Sequence, residues 1–126
     1  MLLQANTGIE FKTETFDQMT SVNLIAVYTT VSSQDEARLI ARTLVERKLV
    51  ACAHISAIES FHTWKGAVQN SQEFRLVFKT TDAKYKAVEA AILGLHSYEL
   101  PAIYAVALEH VYEPYAAWVE ECGGWK

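Results

Sequence analysis

Residues 96–101, HSYELP, set an imidazole, a phenol and a carboxylate ahead of a proline, and the apolar run AIYAVAL follows at once. His96 and Glu99 stand at i and i+3, which on a continuous helix would share a face and serve as an acid/base pair or a ligand contact. Gly94 and Pro101 argue against a continuous helix, so the segment reads as a loop. The competing reading is a loop clasp in which Glu99 accepts hydrogen bonds at a subunit seam. A second constellation is Cys52-Ala53-His54. Strand alternation puts Cys52 and His54 on one face, ~7 Å apart along the chain, and His62 shares their parity. Thiolate plus imidazole suits Cu(I), zinc and similar ions. One strand gives two donors, whereas a structural zinc site wants four. The competing reading makes Cys52 a packed small hydrophobe and His54 a hydrogen-bonded interface residue. Trp64-Lys65-Gly66 offers an aromatic platform or a cation–π pair, or simply a packed hairpin end. Lys79, at a strand end, can clasp an anion or a carboxylate such as Glu73 or Glu99, although a solvated lysine is the usual case. His62 and His110 read as isolated polar residues.

The elements that must position these groups follow from periodicity. Val22–Thr30, VNLIAVYTT, predicts a buried strand. Ser33 and Glu36 form a capping box, and Ala37, Ile40, Ala41, Leu44, Val45 and Lys48 give the helical stripe behind it, with Glu36, Arg38, Arg42, Glu46 and Arg47 on the exposed side. Leu49–Thr63 reads as a long strand. Trp64-Lys65-Gly66 and Gln69-Asn70-Ser71 read as turns, and Phe74–Thr80 as the returning strand of a hairpin. Tyr85, Val88, Ile92 and Leu95 restore helical spacing, with Gly94 near the helix end to relieve left-handed strain. Ala102–Leu108 is the last core strand. Pro114 opens a short helix bearing Tyr115, Trp118, Val119 and Cys122, which Gly123-Gly124 stops.

This order predicts an α+β, ferredoxin-like βαββαβ sandwich: an antiparallel sheet with two helices on one face plus a short C-terminal helix. Residues 1–20 read as an N-terminal extension and 21–126 as a single domain. Two helices cover one face only, so the apolar content of the other predicts burial against partner subunits.

Composition narrows the function classes. The 126 residues are 51% hydrophobic and 21% charged, enough for one globular core without disulfides. A formal charge of −4 speaks against nucleic acid, which is bound by neutralising phosphates. The strand EFRLVFKT also lacks the glycines and basic–aromatic order of an RNA-recognition signature. No apolar run reaches the ~20 residues that span a bilayer, and MLLQANTGIEFKTETF has no basic n-region or sustained apolar core, so no signal peptide or membrane partner is expected. Two cysteines make no disulfide framework, and a cytoplasmic location is the simpler expectation. There is no P-loop, dinucleotide fingerprint, nucleophile elbow, paired CxxC or HExxH.

Taken in order, LVERKLVACAHI, FHTWKG, a strand with Glu73 and Lys79-Thr80, HSYELP and YAAWVEE resemble the CutA divalent-cation tolerance proteins from about residue 22 to 122. The resemblance implies a ferredoxin-like subunit in a tight homotrimer, similar to PII signalling proteins, with the polar cluster beside inter-subunit clefts. It maps recurrent family residues onto Cys52, Trp64, Glu73, Lys79, His96, Tyr98, Glu99 and Pro101. It further implies binding of divalent metal such as copper or zinc; Cys52, His54 and His96 are the candidate ligands, His54 on the strand alternation alone. Trp64, Glu73, Lys79, Tyr98 and Glu99 become cleft contacts, and no enzymatic activity is implied. A PII-like sensor of anions or small metabolites, or a scaffold trimer, is the alternative. Three departures from the family pattern stand out: His54 where asparagine is usual, Ser97 where proline is usual, and VYTTVSSQDEA where many members carry a cysteine and a proline.

Overall fold

The computed structural model describes residues 23–122. Its elements are β1 (Leu24–Val31), α1 (Gln34–Glu46), β2 (Cys52–Trp64), β3 (Ala67–Thr81), a 3-10 turn (Asp82–Lys84), α2 (Tyr85–Leu95), β4 (Ile103–Ala107) and α3 (Glu113–Glu120). The four strands form one sheet in the order β2-β3-β1-β4, every neighbouring pair antiparallel. This is the predicted α+β, ferredoxin-like arrangement. The expected extension over residues 1–20 and the Gly123-Gly124 stop lie outside the described residues.

Alternation along β1 sorts the sheet into two faces. Ile25, Val27 and Val31 join Leu76 and Phe78 of β3 on one side, where Ala37, Ile40 and Leu44 of α1 and Val88 and Ile92 of α2 pack against them. Burying these side chains supplies most of the drive to fold, at roughly 1.5–3 kcal/mol for each large aliphatic or aromatic group. Leu24 points the other way and joins Ala51 and Val119, so α3 covers one end of the opposite face. The rest of that face is open. Tyr28 and Tyr104 stack there with ring centroids 5.1 Å apart, and Tyr104 and Val106 are half exposed.

Local chemistry fixes the element ends. Ser33 Oγ accepts from the Glu36 amide at 3.1 Å, which is the N-terminal cap of α1. The other half of the predicted capping box does not form, because the Glu36 carboxylate turns towards the loop after α2. Lys48 was expected on the helical stripe, but it lies beyond the helix end with φ 60°. Its amide donates to the Val45 carbonyl and the Leu49 amide to Leu44, the paired bonds of a Schellman ending with lysine where glycine is usual. The Lys48 carbonyl in turn accepts from Lys84 Nζ at 3.1 Å and Cys122 Sγ at 3.0 Å, tying together the ends of α1, α2 and α3.

Lys65 (φ 53°) and Gly66 (φ 83°) close the β2–β3 hairpin as a two-residue loop with both backbones left-handed, the turn that matches strand twist. Gln69-Asn70-Ser71, expected as a turn, instead continues β3 opposite His62, Phe61 and Ser60. The tight loop leaves these residues facing a strand, and the ladder satisfies backbone groups that a turn would leave open. Asn70 strengthens the pairing by donating to Glu59 and to the Ser60 carbonyl, each at 3.2 Å. Gly94 is a helical residue of α2 and has no positive φ; the helix ends where His96 turns extended.

Candidate ligand cleft and polar clasp

The loop from His96 to Ala102 is held by hydrogen bonds. The His96 ring is buried, its side chain 1% exposed. One nitrogen, Nε2, lies 2.8 Å from the Thr30 carbonyl, and the other, Nδ1, lies 3.1 Å from the Tyr98 amide. A carbonyl can only accept, so Nε2 carries the proton, and Nδ1 is the acceptor for the Tyr98 N–H. Both ring nitrogens are therefore engaged within the chain.

Glu36, at the start of α1, completes the clasp. Its Oε2 accepts from the Ser97 amide at 2.8 Å and its Oε1 from Ser97 Oγ at 3.0 Å. Glu36 Oε2 also stands 3.8 Å from His96 Nδ1. Loop and helix are thus clasped within the chain, and Glu36 is the residue that closes this contact. Glu36 was read on the exposed side because helical periodicity is blind to the loop that folds over it. Ser97 gives the departure from the family pattern a physical meaning: a proline there has neither the N–H nor the hydroxyl that Glu36 receives.

Tyr98 extends the network across the loop. Its O–H donates to Oε2 of the buried Glu73 on β3 at 2.5 Å. Burial first, then this bond and the Glu73 charge, hold the phenol protonated well above its ordinary range. Beside the pair opens a cavity of about 850 Å³ between the projecting hairpin and the loop, lined among others by Phe61, Trp64, Glu73, Tyr98 and Glu99. Trp64, Glu73, Tyr98 and Glu99, four of the five residues named as cleft contacts, thus line one cavity within the chain. Lys79 does not: it pairs with Cys52 and Ala26 towards the other end of the sheet. Six residues separate it from Glu73, ~20 Å of extended strand. His62, read as isolated, lines the cavity with Glu59. The alternation that places His62 on the same side of β2 as Trp64 was the available signal.

The expected metal ligands are divided. Cys52 and His54 share one face of β2, with His54 exposed. His96 is bound to Thr30, near the far end of β1. The Cys52 sulfur lies 3.5 Å from the Tyr115 hydroxyl under α3. Burial, and then the contact with Cys52, push the Tyr115 phenol up to about 12. Among the described residues, no three histidine, cysteine, aspartate or glutamate side chains converge as a metal centre.

A four-stranded antiparallel sheet with two helices on one face and a polar loop clasped over the strand ends defines the structural class. The sequence places the chain within it more narrowly. The pattern of the CutA1 divalent ion tolerance proteins matches residues 25–122. The divalent-cation tolerance protein CutA of Thermotoga maritima is 37% identical over 98 residues, covering 78% of this chain and 97% of that protein. The structure of the periplasmic divalent cation tolerance protein CutA from Archaeoglobus fulgidus superposes with a TM-score of 0.77 at 34% identity, covering 79% of this chain and 98% of that one. CutA from Synechococcus elongatus gives 0.78 at 30% identity, covering 82% and 93%. The chain belongs to the CutA1 divalent ion tolerance family.

Proposed function

We propose that the protein is a homotrimeric, non-enzymatic divalent-cation tolerance module that binds copper or another divalent ion, such as zinc, in a cytoplasmic response to metals. The observation that carries this reading is membership of a family whose named relatives are divalent-cation tolerance proteins. Cys52 and His54 are the donors the chain offers, and a two-donor strand needs further ligands to complete a metal site. The half-exposed Tyr104 and Val106 on the uncovered face supply a surface that two more copies can bury, bringing such donors together. His96 stands outside this site as the pin of the loop. Among the described residues no helix is long and apolar enough to cross a membrane.

Titration calorimetry with copper and zinc tests the proposal. The expected result is saturable binding that weakens at least about tenfold, roughly 1.4 kcal/mol, in the Cys52→Ala/His54→Ala double variant. Unchanged affinity would remove these residues from the site. Light scattering at micromolar concentration is expected to give a particle of three chains, and a lone protomer would overturn the assembly.

A second reading rests on the cavity itself: a PII-like small-molecule site walled by Trp64, Tyr98, Glu73 and Glu99. A volume of about 850 Å³ and a mixed apolar and polar lining suit a small metabolite.

A further inference from the structure

The ends of α1, α2 and α3 meet at a point that neither the cleft nor the clasp uses. Cys122, just beyond α3, is partly exposed, and its Sγ donates to the Lys48 carbonyl at 3.0 Å. Lys84 Nζ, just before α2, donates to the same carbonyl at 3.1 Å and also to the Cys122 sulfur. Two bonds to one oxygen thus gather the nitrogen and the sulfur, independently of the bond between them. The backbone that presents the carbonyl and the thiol is itself anchored. Lys48 (φ 60°) and Cys122 (φ 52°) both hold a left-handed conformation that non-glycine residues seldom adopt, and their amides donate to Val45 and Val119 at 3.0 and 2.9 Å. This junction sits at the ends of the helices that cover the core, whereas the face left for assembly carries Tyr104 and Val106. A thiol beside an amine has a reaction that an isolated thiol lacks: once oxidised to a sulfenic acid, it can condense with the neighbouring nitrogen.

We propose that Lys84 and Cys122 form a reversible redox staple, in which a peroxide oxidises the thiol and the lysine nitrogen closes on the oxidised sulfur as a sulfenamide. In the first step the sulfur takes one peroxide oxygen, the O–O bond breaks and water leaves, so sulfur is oxidised and peroxide reduced by the same electron pair. In the second, the lone pair of the unprotonated Lys84 nitrogen attacks that sulfur. The S–O bond breaks, and hydroxide leaves with an amine proton as water. One thiol, one amine and one hydrogen peroxide give one S–N bond and two waters. An added thiol reverses the staple: it attacks the sulfur, releases the amine and leaves a mixed disulfide that a second thiol reduces. The bond fastens the end of α3 to the start of α2, and α3 is the helix that holds Tyr115 against Cys52.

The test treats the full chain, in its own solution assembly and with a chelator present, with hydrogen peroxide, followed by peptide mass spectrometry before and after dithiothreitol. The expected product is a peptide pair joined through Lys84 and Cys122, about 2 Da lighter than the sum of its parts and absent after dithiothreitol. Lys84→Arg keeps the charge and a donor but removes the amine. It is expected to abolish the joined pair and to raise sulfinic acid at Cys122 by about fivefold or more, because the oxidised sulfur is no longer trapped. Cys122→Ser keeps a donor for the Lys48 carbonyl, and is expected to abolish the joined pair with an unchanged circular dichroism spectrum. Sulfenic or sulfinic acid at Cys122 with no joined pair in the wild type overturns the staple, as does a Cys122 that peroxide leaves untouched. A bond from Cys122 to Cys52, to a second chain or to a lysine other than Lys84 overturns the pairing.

Discussion

The two faces of the sheet are built from the same strands and live in different environments. On the helix side, Val27, Val31, Ile40, Leu44, Leu76, Phe78, Val88 and Ile92 have no exposed surface. On the other, α3 shields Leu24 and Ala51 at one end, and Tyr104 and Val106 stay half exposed. The hairpin beyond the sheet is barer still, with Phe61 68% and Val68 74% exposed. One face is therefore finished within a single chain. The other, together with the hairpin, carries apolar area that intrachain packing leaves over, and the proposed assembly and cleft both lie there. What selects a residue's role here is its parity on a strand as much as its type.

Core truncation sharpens this contrast most. Phe78→Ala is expected to lose about 3–5 kcal/mol of stability in denaturant unfolding, the usual range for a fully buried aromatic. Val106→Asp on the open face is expected to keep the far-ultraviolet circular dichroism spectrum of the wild type and to shift the light-scattering mass towards one chain. A folded Val106→Asp protein of unchanged mass would break the comparison, because the open face would then not be an interface.

The clasp comes next in size. Glu36→Ala leaves the two Ser97 donors without their carboxylate, and a loss of about 1–3 kcal/mol is expected in chemical denaturation. In a double-mutant cycle with Ser97→Ala, a coupling above about 0.5 kcal/mol is expected, and additivity would show that the two residues act separately. Thr29→Val works in the opposite direction. The Thr29 hydroxyl is buried on the core face and has no hydrogen-bond partner among the described residues. Replacing it with a methyl of similar shape is expected to stabilise the protein by about 1 kcal/mol.

The smallest effect lies in the pH dependence. Tyr98 and Tyr115 are held protonated above the ordinary phenol value by burial, then by bonds to Glu73 and Cys52 respectively. A group that binds its proton more tightly when folded contributes stability that is complete below the unfolded value near pH 10 and is lost as pH rises through the folded value. For Tyr115 that window runs from about 10 to about 12. Melting temperature is therefore expected to fall above about pH 10, and to fall less steeply in Tyr98→Phe. An identical alkaline slope in that variant would contradict the role given to the phenol.

Much of the fold was legible because it is written in local periods. The Ser33 cap, the Lys65-Gly66 turn, Pro114 in the first turn of α3 and the alternation of β1 each act over a few residues. The misreadings share one cause. Gln69-Asn70-Ser71 has turn chemistry, but the long partner strand β2 enforces pairing. Lys48 has a helix former's propensity, but the chain must leave α1 there to enter β2. Glu36 sits at a helical position that periodicity marks as exposed, and only the loop from a distant helix end makes it a hub. The cleft was half legible. Trp64, Glu73, Tyr98 and Glu99 line one cavity of the chain, whereas Lys79 lies towards the other end of its strand.

The sequence by itself determined the order of strands and helices, which face of each is apolar, and membership of the CutA1 family, because hydrophobic period, caps and turns are properties of neighbouring residues. Only the tertiary structure decided that His96 spends both ring nitrogens on Thr30 and Tyr98, that Glu36 closes the loop, and that Trp64, Glu73, Tyr98 and Glu99 line one cavity. Those facts depend on which distant segments meet, and a contact between residues sixty positions apart leaves no local period to read.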